Sequence, residues 1–182
     1  MNPTHVPQRY ARLSIALHWL MVLLFVGVYA CIQLRDLAPR GSELKGELLG
    51  VHGLFGAAIF LLVWVRVVVR LLNPRPPINP APSALQAAIA HLMHLALYGL
   101  MILTPLLAWG MLTAGDKPFP YFGFQLPAPI VLDPQWARPL KHWHEWIGSL
   151  GYWLIGLHAI AGLFHHYLLG DNTLRRMWPK RG

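Results

Sequence analysis

Cysteine, acidic residues and charge in general are scarce in this sequence. The single cysteine, Cys31, cannot form an internal disulfide, and because no C-x-x-C-H motif occurs, covalent c-type haem attachment is excluded. Only 12% of the 182 residues are charged, whereas 55% are hydrophobic. A mean hydropathy of +0.44 is too apolar for an ordinary soluble protein. The composition therefore indicates an integral membrane protein, organised as a single domain over residues 1–182.

Four apolar segments are each long enough to cross a bilayer as a helix, which takes about 20 residues. We expect an all-α bundle of four transmembrane helices over residues 14–34, 47–72, 85–111 and 142–169. The proline-dense link over residues 73–83 is predicted to be extended, and Pro105 is expected to kink the third helix. The longest loop, residues 113–141, is rich in aromatic residues and is predicted to lie on the membrane surface.

Basic residues are distributed unevenly between the two sides of such a bundle. The side that holds both termini carries nine, against six on the other side. Because Lys and Arg are enriched in cytoplasmic loops, the expected location is the bacterial inner membrane, with both termini cytoplasmic. Topology thus accounts for the net charge of +8, so lipid is an expected partner and nucleic acid is not. The nine are Arg9, Arg12, Arg66, Arg70, Arg75, Arg175, Arg176, Lys180 and Arg181.

The chain contains ten histidines, and five of them fall in the last apolar segment. Ionisable side chains inside a bilayer usually face the bundle interior and carry a function. His144 and His158 are 14 residues apart, so they leave nearly the same helix face at depths about 21 Å apart. His18 and His52 lie in the first and second segments, one near each membrane surface. Depth therefore pairs His52 with His144 near the periplasm and His18 with His158 near the cytoplasm.

Two opposed histidines at each level suit haem better than a simple metal ion. Zinc and copper sites usually gather three or four ligands that include thiolates or carboxylates, whereas a porphyrin supplies four nitrogens and requires only axial ligands. Small residues beside the histidines would admit a flat macrocycle, although they also serve close helix packing in membrane bundles. These residues are Gly50, Gly53, Gly56, Gly148, Gly151, Gly156, Ala159 and Gly162. We favour haem, because histidines and glycines coincide at both levels.

An ordered set of motifs from Tyr10 to Met177 resembles the bacterial cytochrome b-561 family. The motifs are R-L-S-I-A-L-H-W-L, V-H-G-L-F-G, R-V-V-V-R, A-H-L-M-H-L, W-H-E, G-L-H-A, H-H-Y and D-N-T-L-R-R-M. The resemblance implies a four-helix inner-membrane protein with two b-type haems, whose axial ligands fall on His18, His52, His144 and His158. Within the family, the likeness is greatest to a member that oxidises superoxide at the periplasmic face and reduces ubiquinone. The long loop departs from that pattern.

Further side chains are candidates for the entry and exit of electrons. Superoxide is an anion, so we expect cations at the outer helix ends to concentrate it there; these are Arg35, Arg40, Lys45 and Lys141. Reduction of ubiquinone is expected near Arg12, Ser14, Trp19 and His165. His165 is a candidate donor to a quinone carbonyl or, alternatively, an interfacial residue that faces head groups. His94 is expected to support a haem by hydrogen bonding rather than to ligate it, or simply to face the interface.

Two other functions remain open from the sequence. A b-type subunit that links a periplasmic dehydrogenase or hydrogenase to the quinone pool would keep both haems and use its outer surface to dock that partner. A transporter or metal-handling protein would instead use the histidines to bind a translocated ion. A visible spectrum with sharp α and β bands on reduction separates the haem proteins from the transporter.

Overall fold

The computed structural model of the protein describes residues 8–117, 119, 127 and 132–179. In this part of the chain, all regular secondary structure is helical. The long helices are α1 (Arg12–Leu37), α2 (Glu43–Leu72), α3 (Ala84–Ala114) and α4 (Ala137–Tyr167), and a short α5 (Thr173–Met177) follows. All four long helices are apolar and long enough to cross a membrane. The predicted all-α architecture with four membrane helices is confirmed.

Several helices extend beyond the apolar segments that predicted them. α1 continues to Leu37 rather than residue 34, α2 begins at Glu43 rather than residue 47, and α4 begins at Ala137 rather than residue 142. The additional turns contain charged residues, which keep their polar ends in water at a membrane surface while the backbone stays helical. The length of an apolar run does not detect such turns. α4 also ends at Tyr167, before the expected limit of residue 169.

One end of the bundle is closed by the connector between α2 and α3 together with the segment after α4. The connector, residues 73–83, contains no helix. Asn79 N donates to Asn172 Oδ1 at 2.9 Å, Asn172 N donates to Asn79 O at 3.2 Å, and the Arg176 side chain donates to Pro76 O. We call this the terminal end, because the start of α1 and α5 lie here, and the opposite one the distal end.

At the distal end, residues 118, 120–126 and 128–131 of the loop predicted to lie on the membrane surface fall outside the described residues. The described residues just before α4 form a 3-10 turn, Pro134–Trp136. The Asp133 side chain accepts a hydrogen bond from the backbone N–H of Gln135 at 2.9 Å and caps this turn. The turn leads directly into α4, so the first residues of that helix are fixed at the distal end.

Helix packing is closest within two pairs, α1 with α2 and α3 with α4. The buried centre is small and consists of Met21, Ile59, Val63 and Met101. Many large apolar side chains remain on the surface, including Trp153, which is 73% exposed. This distribution suits a bundle surrounded by lipid, because burying apolar side chains between helices offers little gain over leaving them in hydrocarbon.

Tyr29 of α1 joins the two helix pairs by contacting α4. Its hydroxyl donates to the Gly148 carbonyl at 2.8 Å, and its ring centre lies 4.2 Å from that of Tyr152. Gln33 donates to the Tyr152 hydroxyl at 2.6 Å. A Cβ atom at Gly151 would overlap the Tyr29 hydroxyl. Glycine at this position therefore allows α1 to approach α4.

Replacing Gly151 with alanine is expected to destabilise the protein by about 1–3 kcal/mol, the usual cost of overpacking. The added methyl group displaces the Tyr29 hydroxyl and breaks its hydrogen bond to Gly148. Because Y29F removes that hydroxyl, the double variant Y29F/G151A should be less destabilised than the sum of the single variants. Thermal unfolding in detergent measures the stability of the wild type, the two single variants and the double variant. Additive losses would contradict the proposed contact.

Candidate functional site

The distal end brings His52 of α2 and His144 of α4 together. Their ring centres are 6.2 Å apart, and the ring planes are inclined by 82°. His52 Nδ1 donates to the Val28 carbonyl at 3.0 Å, and His144 Nδ1 donates to the Thr104 carbonyl at 2.8 Å. Because a carbonyl only accepts, the proton of each ring is on Nδ1 and the Nε2 lone pair is free. Both imidazoles are thus in the tautomer that a metal ligand bound through Nε2 requires.

The terminal end brings together His18 of α1 and His158 of α4. Their ring centres are 6.3 Å apart with an interplanar angle of 79°. His94 of α3 is close by, with its ring centre 5.5 Å from that of His158. A guanidinium nitrogen of Arg66 lies 3.2 Å from His18 Nδ1. Since guanidinium only donates, this His18 nitrogen is an acceptor here, in contrast to the histidines of the distal pair.

The spacing within each pair suits two axial ligands. An imidazole nitrogen lies about 2 Å from a metal ion that it binds and about 1.1 Å from its own ring centre, so two imidazoles on opposite sides of one ion have ring centres about 6 Å apart. The separations of 6.2 and 6.3 Å agree with this value. Among the described residues, no group of three His, Cys, Asp or Glu side chains has the geometry to hold a metal ion. The chemistry of the pairs therefore fits haem rather than a site built from protein ligands alone.

Glycines also lie where a flat cofactor would need space. Gly56, Gly148 and Gly162 each follow a paired histidine by four residues, so each lies one turn away on the same helix face. Apart from its chain neighbours and the backbone of its own helix, a Cβ atom added at any of the three would have no atom within 4 Å. Close helix packing therefore does not explain glycine at these positions. Gly156, by contrast, lies on the side of α4 opposite to His158.

His165 and Trp19, both predicted near a quinone, contact the segment after α4. His165 Nδ1 donates to Asp171 Oδ2 at 2.6 Å, and Trp19 Nε1 donates to the Met177 carbonyl at 2.9 Å. The indole N–H of Trp19 is thus already used within the protein. Arg12 is exposed and Ser14 is half-buried at the start of α1.

Asp171 is the central residue of this terminal cluster and is only 4% exposed. Its Oδ1 accepts the Thr173 N–H at 2.8 Å while Oδ2 accepts from His165. Burial raises the pKa of the Asp171 carboxyl, but the hydrogen bonds from His165 and Thr173 lower it further, so the net pKa is below the ordinary value. The ionised carboxylate fixes the His165 proton on Nδ1 and leaves Nε2 available to a ligand.

The cations predicted to attract superoxide lie at the distal end, and two of them are paired. Arg35 Nη1 is 3.2 Å from Asp36 Oδ1, and Lys141 Nζ is 3.5 Å from Glu145 Oε1. Arg40 has no acidic partner within 4 Å among the described residues. The paired carboxylates reduce the positive potential below what the basic residues alone suggest.

The contacts of Asp171 with His165 and of Arg66 with His18 were not identified from the sequence. A signal was present for Asp171, because it is the only acidic residue among nine basic residues on its side of the bundle. Arg66 lies in an apolar helix and 48 residues from His18, so its contact with that ring depends on how α1 and α2 pack. The backbone carbonyls of Val28 and Thr104 could not be identified as hydrogen-bond acceptors from the sequence, because no type of side chain marks such a position.

Asp171→Asn is expected to reduce stability at neutral pH by about 1.5–3 kcal/mol, the usual value of a hydrogen bond to a charged group. Because the folded pKa of Asp171 is depressed, its contribution is complete above the unfolded pKa of about 4 and is lost as the pH falls through the folded value. The difference between wild type and variant should therefore shrink on acidification. Thermal unfolding in detergent from pH 7 to pH 3 measures it. Asp36→Asn, at a side chain 67% exposed, is the control and should have little effect.

Comparison with known proteins agrees with this arrangement. The sequence profile described as prokaryotic cytochrome b561 matches residues 9–180. A protein of Yersinia pestis named probable superoxide oxidase CybB is 36% identical over 174 residues, which cover 96% of this chain and 98% of that protein. Cytochrome b561 homolog 1 of Escherichia coli (strain K12) is 34% identical over 173 residues, with 95% and 98% covered. Cytochrome b561 homolog 2 of the same strain is 28% identical over 184 residues, with 99% and 96% covered.

The match extends over nearly the whole chain and includes all four membrane helices. Cytochromes of this family bind haem b and transfer electrons within the membrane, and two opposed histidine pairs in a helical bundle suit that chemistry. The chain belongs to the prokaryotic cytochrome b561 family and is a multi-pass electron-transfer protein of the inner membrane.

Proposed function

We propose that this protein is a di-haem superoxide:ubiquinone oxidoreductase. The observation that carries the proposal is the pair of histidine sites at opposite ends of the bundle, with ring centres 6.2 and 6.3 Å apart. The name of the Yersinia pestis relative, probable superoxide oxidase CybB, supports the choice of electron donor. Superoxide gives up one electron and becomes O2, whereas ubiquinone takes up two electrons and two protons, so each quinone consumes the electrons of two superoxide ions.

His52 and His144 would hold one haem at the distal end, and His18 and His158 would hold the other at the terminal end. Held by two imidazoles in this way, each haem would supply one-electron chemistry without binding oxygen directly. Carbonyl acceptors at Val28 and Thr104 keep the distal imidazoles oriented.

The distal end would face the periplasm, because the sequence assigns nine of the 15 basic residues to the side that holds both termini. Arg35, Arg40 and Lys141 would attract superoxide to the distal end. At the terminal end, His165 would act as an imidazolium whose Nδ1–H is bound by the Asp171 carboxylate, so that its Nε2–H could donate to a quinone carbonyl or pass that proton to it. Arg12, Ser14 and Trp19 would line the same region, with Trp19 contributing its ring because its N–H already binds Met177.

Stopped-flow spectroscopy of the purified, oxidised protein tests this function. Superoxide should reduce the haems, and a short-chain ubiquinone should then reoxidise them. Failure of superoxide to reduce the pure protein, together with reduction by a co-purifying periplasmic dehydrogenase, would favour the function as a docked electron-transfer subunit. A colourless protein would exclude both.

Two matched variants in the same experiment examine the attraction of superoxide. Lys141→Gln should slow haem reduction severalfold, and Glu145→Gln should accelerate it, because Glu145 offsets the charge of Lys141. Both effects should fade at high ionic strength, which screens exposed charges. Equal rates for both variants would exclude a role for this surface.

Glycine replacements test where the haems lie. Gly162→Leu places a bulky side chain on the His158 face of α4, so the haem content should fall from two per chain to one. Gly156→Leu adds the same side chain on the opposite face and should retain both haems. The pyridine haemochrome assay measures the content, and neither replacement meets an atom near its Cβ. Equal haem content in the two variants would contradict the proposed placement.

A further inference from the structure

The two histidine pairs differ in the charge that surrounds them. At the distal end, both Nδ1 atoms face neutral backbone carbonyls. At the terminal end, the Arg66 guanidinium lies 3.2 Å from His18 Nδ1. Arg70 lies one turn further along α2, with its guanidinium carbon 5.3 Å from the centre of the Tyr98 ring. Two cations therefore lie within the terminal half of the bundle, one of them against a paired histidine.

Neither of these cations has an acidic partner in the part of the chain that the structure describes. The ion pairs found there are Arg35 with Asp36, Lys141 with Glu145 and His165 with Asp171. Asp171 is the only acidic residue near the terminal end, and its two oxygens accept from His165 and Thr173. At the distal end, by contrast, the guanidinium of Arg35 is paired with the carboxylate of Asp36 at 3.2 Å, which offsets part of its charge. The positive charge at Arg66 is therefore not offset by another side chain.

We propose that Arg66 raises the reduction potential of the haem at the terminal end above that of the haem at the distal end. Reduction adds one negative charge to an iron site, and a cation in a region of low dielectric constant stabilises that form. The carbonyls that accept from His52 and His144 act in the opposite sense, because they increase the basicity of the imidazoles and favour the oxidised iron. Electron transfer from the distal to the terminal end is then downhill. The inference rests on the proposed presence of two haems, not on the identity of donor or acceptor.

Ligation of iron by His18 Nε2 changes the partner of Arg66 but not the sign of its charge. With haem bound through Nε2, the His18 ring proton would be on Nδ1, and Arg66 would need another acceptor. A haem propionate is the acceptor that the cofactor itself would bring. The guanidinium would stay near the same ring, because α2, which carries Arg66, packs directly on α1. Arg66 is thus a positioning and tuning residue that does not ligate the iron.

Spectroelectrochemistry of the purified holoprotein tests the proposal by following the haem α band at stepped potentials. Wild type should show two one-electron components. In Arg66→Gln, the higher of the two reduction potentials should fall by about 59 mV, which for one electron is about a tenfold change in the ratio of oxidised to reduced haem. The lower potential should not change. Arg66→Lys keeps the charge and should retain most of the wild-type potential. Arg75→Gln removes an exposed cation at the same end and is the control expected to shift neither component.

Assignment of the components uses His52→Ala, which should leave only the terminal haem. Arg66→Gln in that background should lower the potential of the remaining haem, and this result would support the proposal. An unshifted higher component in Arg66→Gln, or an equal shift in Arg66→Lys, would overturn it. If wild type holds fewer than two haems by the pyridine haemochrome assay, the proposed function itself fails. Two haems with no effect of Arg66 would refute the tuning role alone.

Discussion

A histidine inside a membrane helix must satisfy its ring nitrogens without water, and this constraint organises the bundle. At the distal pair, backbone carbonyls of neighbouring helices accept the Nδ1 protons. These carbonyls already belong to helices, and each has a second lone pair to offer, so the helical backbone stays intact. The distance between α1 and α2, and between α3 and α4, is thereby coupled to the orientation of the imidazoles. Closely packed helix pairs are a condition for the site as well as for the fold.

The two ends of the bundle are stabilised in different ways. Around the distal histidines, the contacts between helix pairs are made by aromatic rings and by single hydrogen bonds such as that from Tyr29 to Gly148. The terminal end instead has a layer of polar contacts in which the segment after α4 binds the connector before α3 and the start of α1. Buried Asp171 and Arg176 belong to this layer. The end with more buried charge is also the end at which we propose that ubiquinone takes up electrons and protons.

Much of the architecture could be predicted from the sequence because hydrophobicity and histidine spacing act over long distances along a helix. Four apolar segments predicted four helices, and spacing along α4 placed His144 and His158 at different depths. Helix limits were less predictable, since the charged first turn of α4 is helical for reasons that hydropathy does not register. The contact between His165 and Asp171 depends on the chain reversal at Gly170, whose φ of 68° lies in the left-handed region that favours glycine. Contacts with backbone carbonyls have no counterpart in the sequence at all.

The position of α4 in the chain has a consequence for biogenesis. This helix provides one imidazole to each pair, and it is the last of the long helices to leave the ribosome. A nascent chain with three inserted helices therefore contains only half-sites, at both depths. Under the proposed function, capture of either haem by two protein ligands would follow translation of α4, so a chain truncated before residue 137 would reach the membrane without a complete pair.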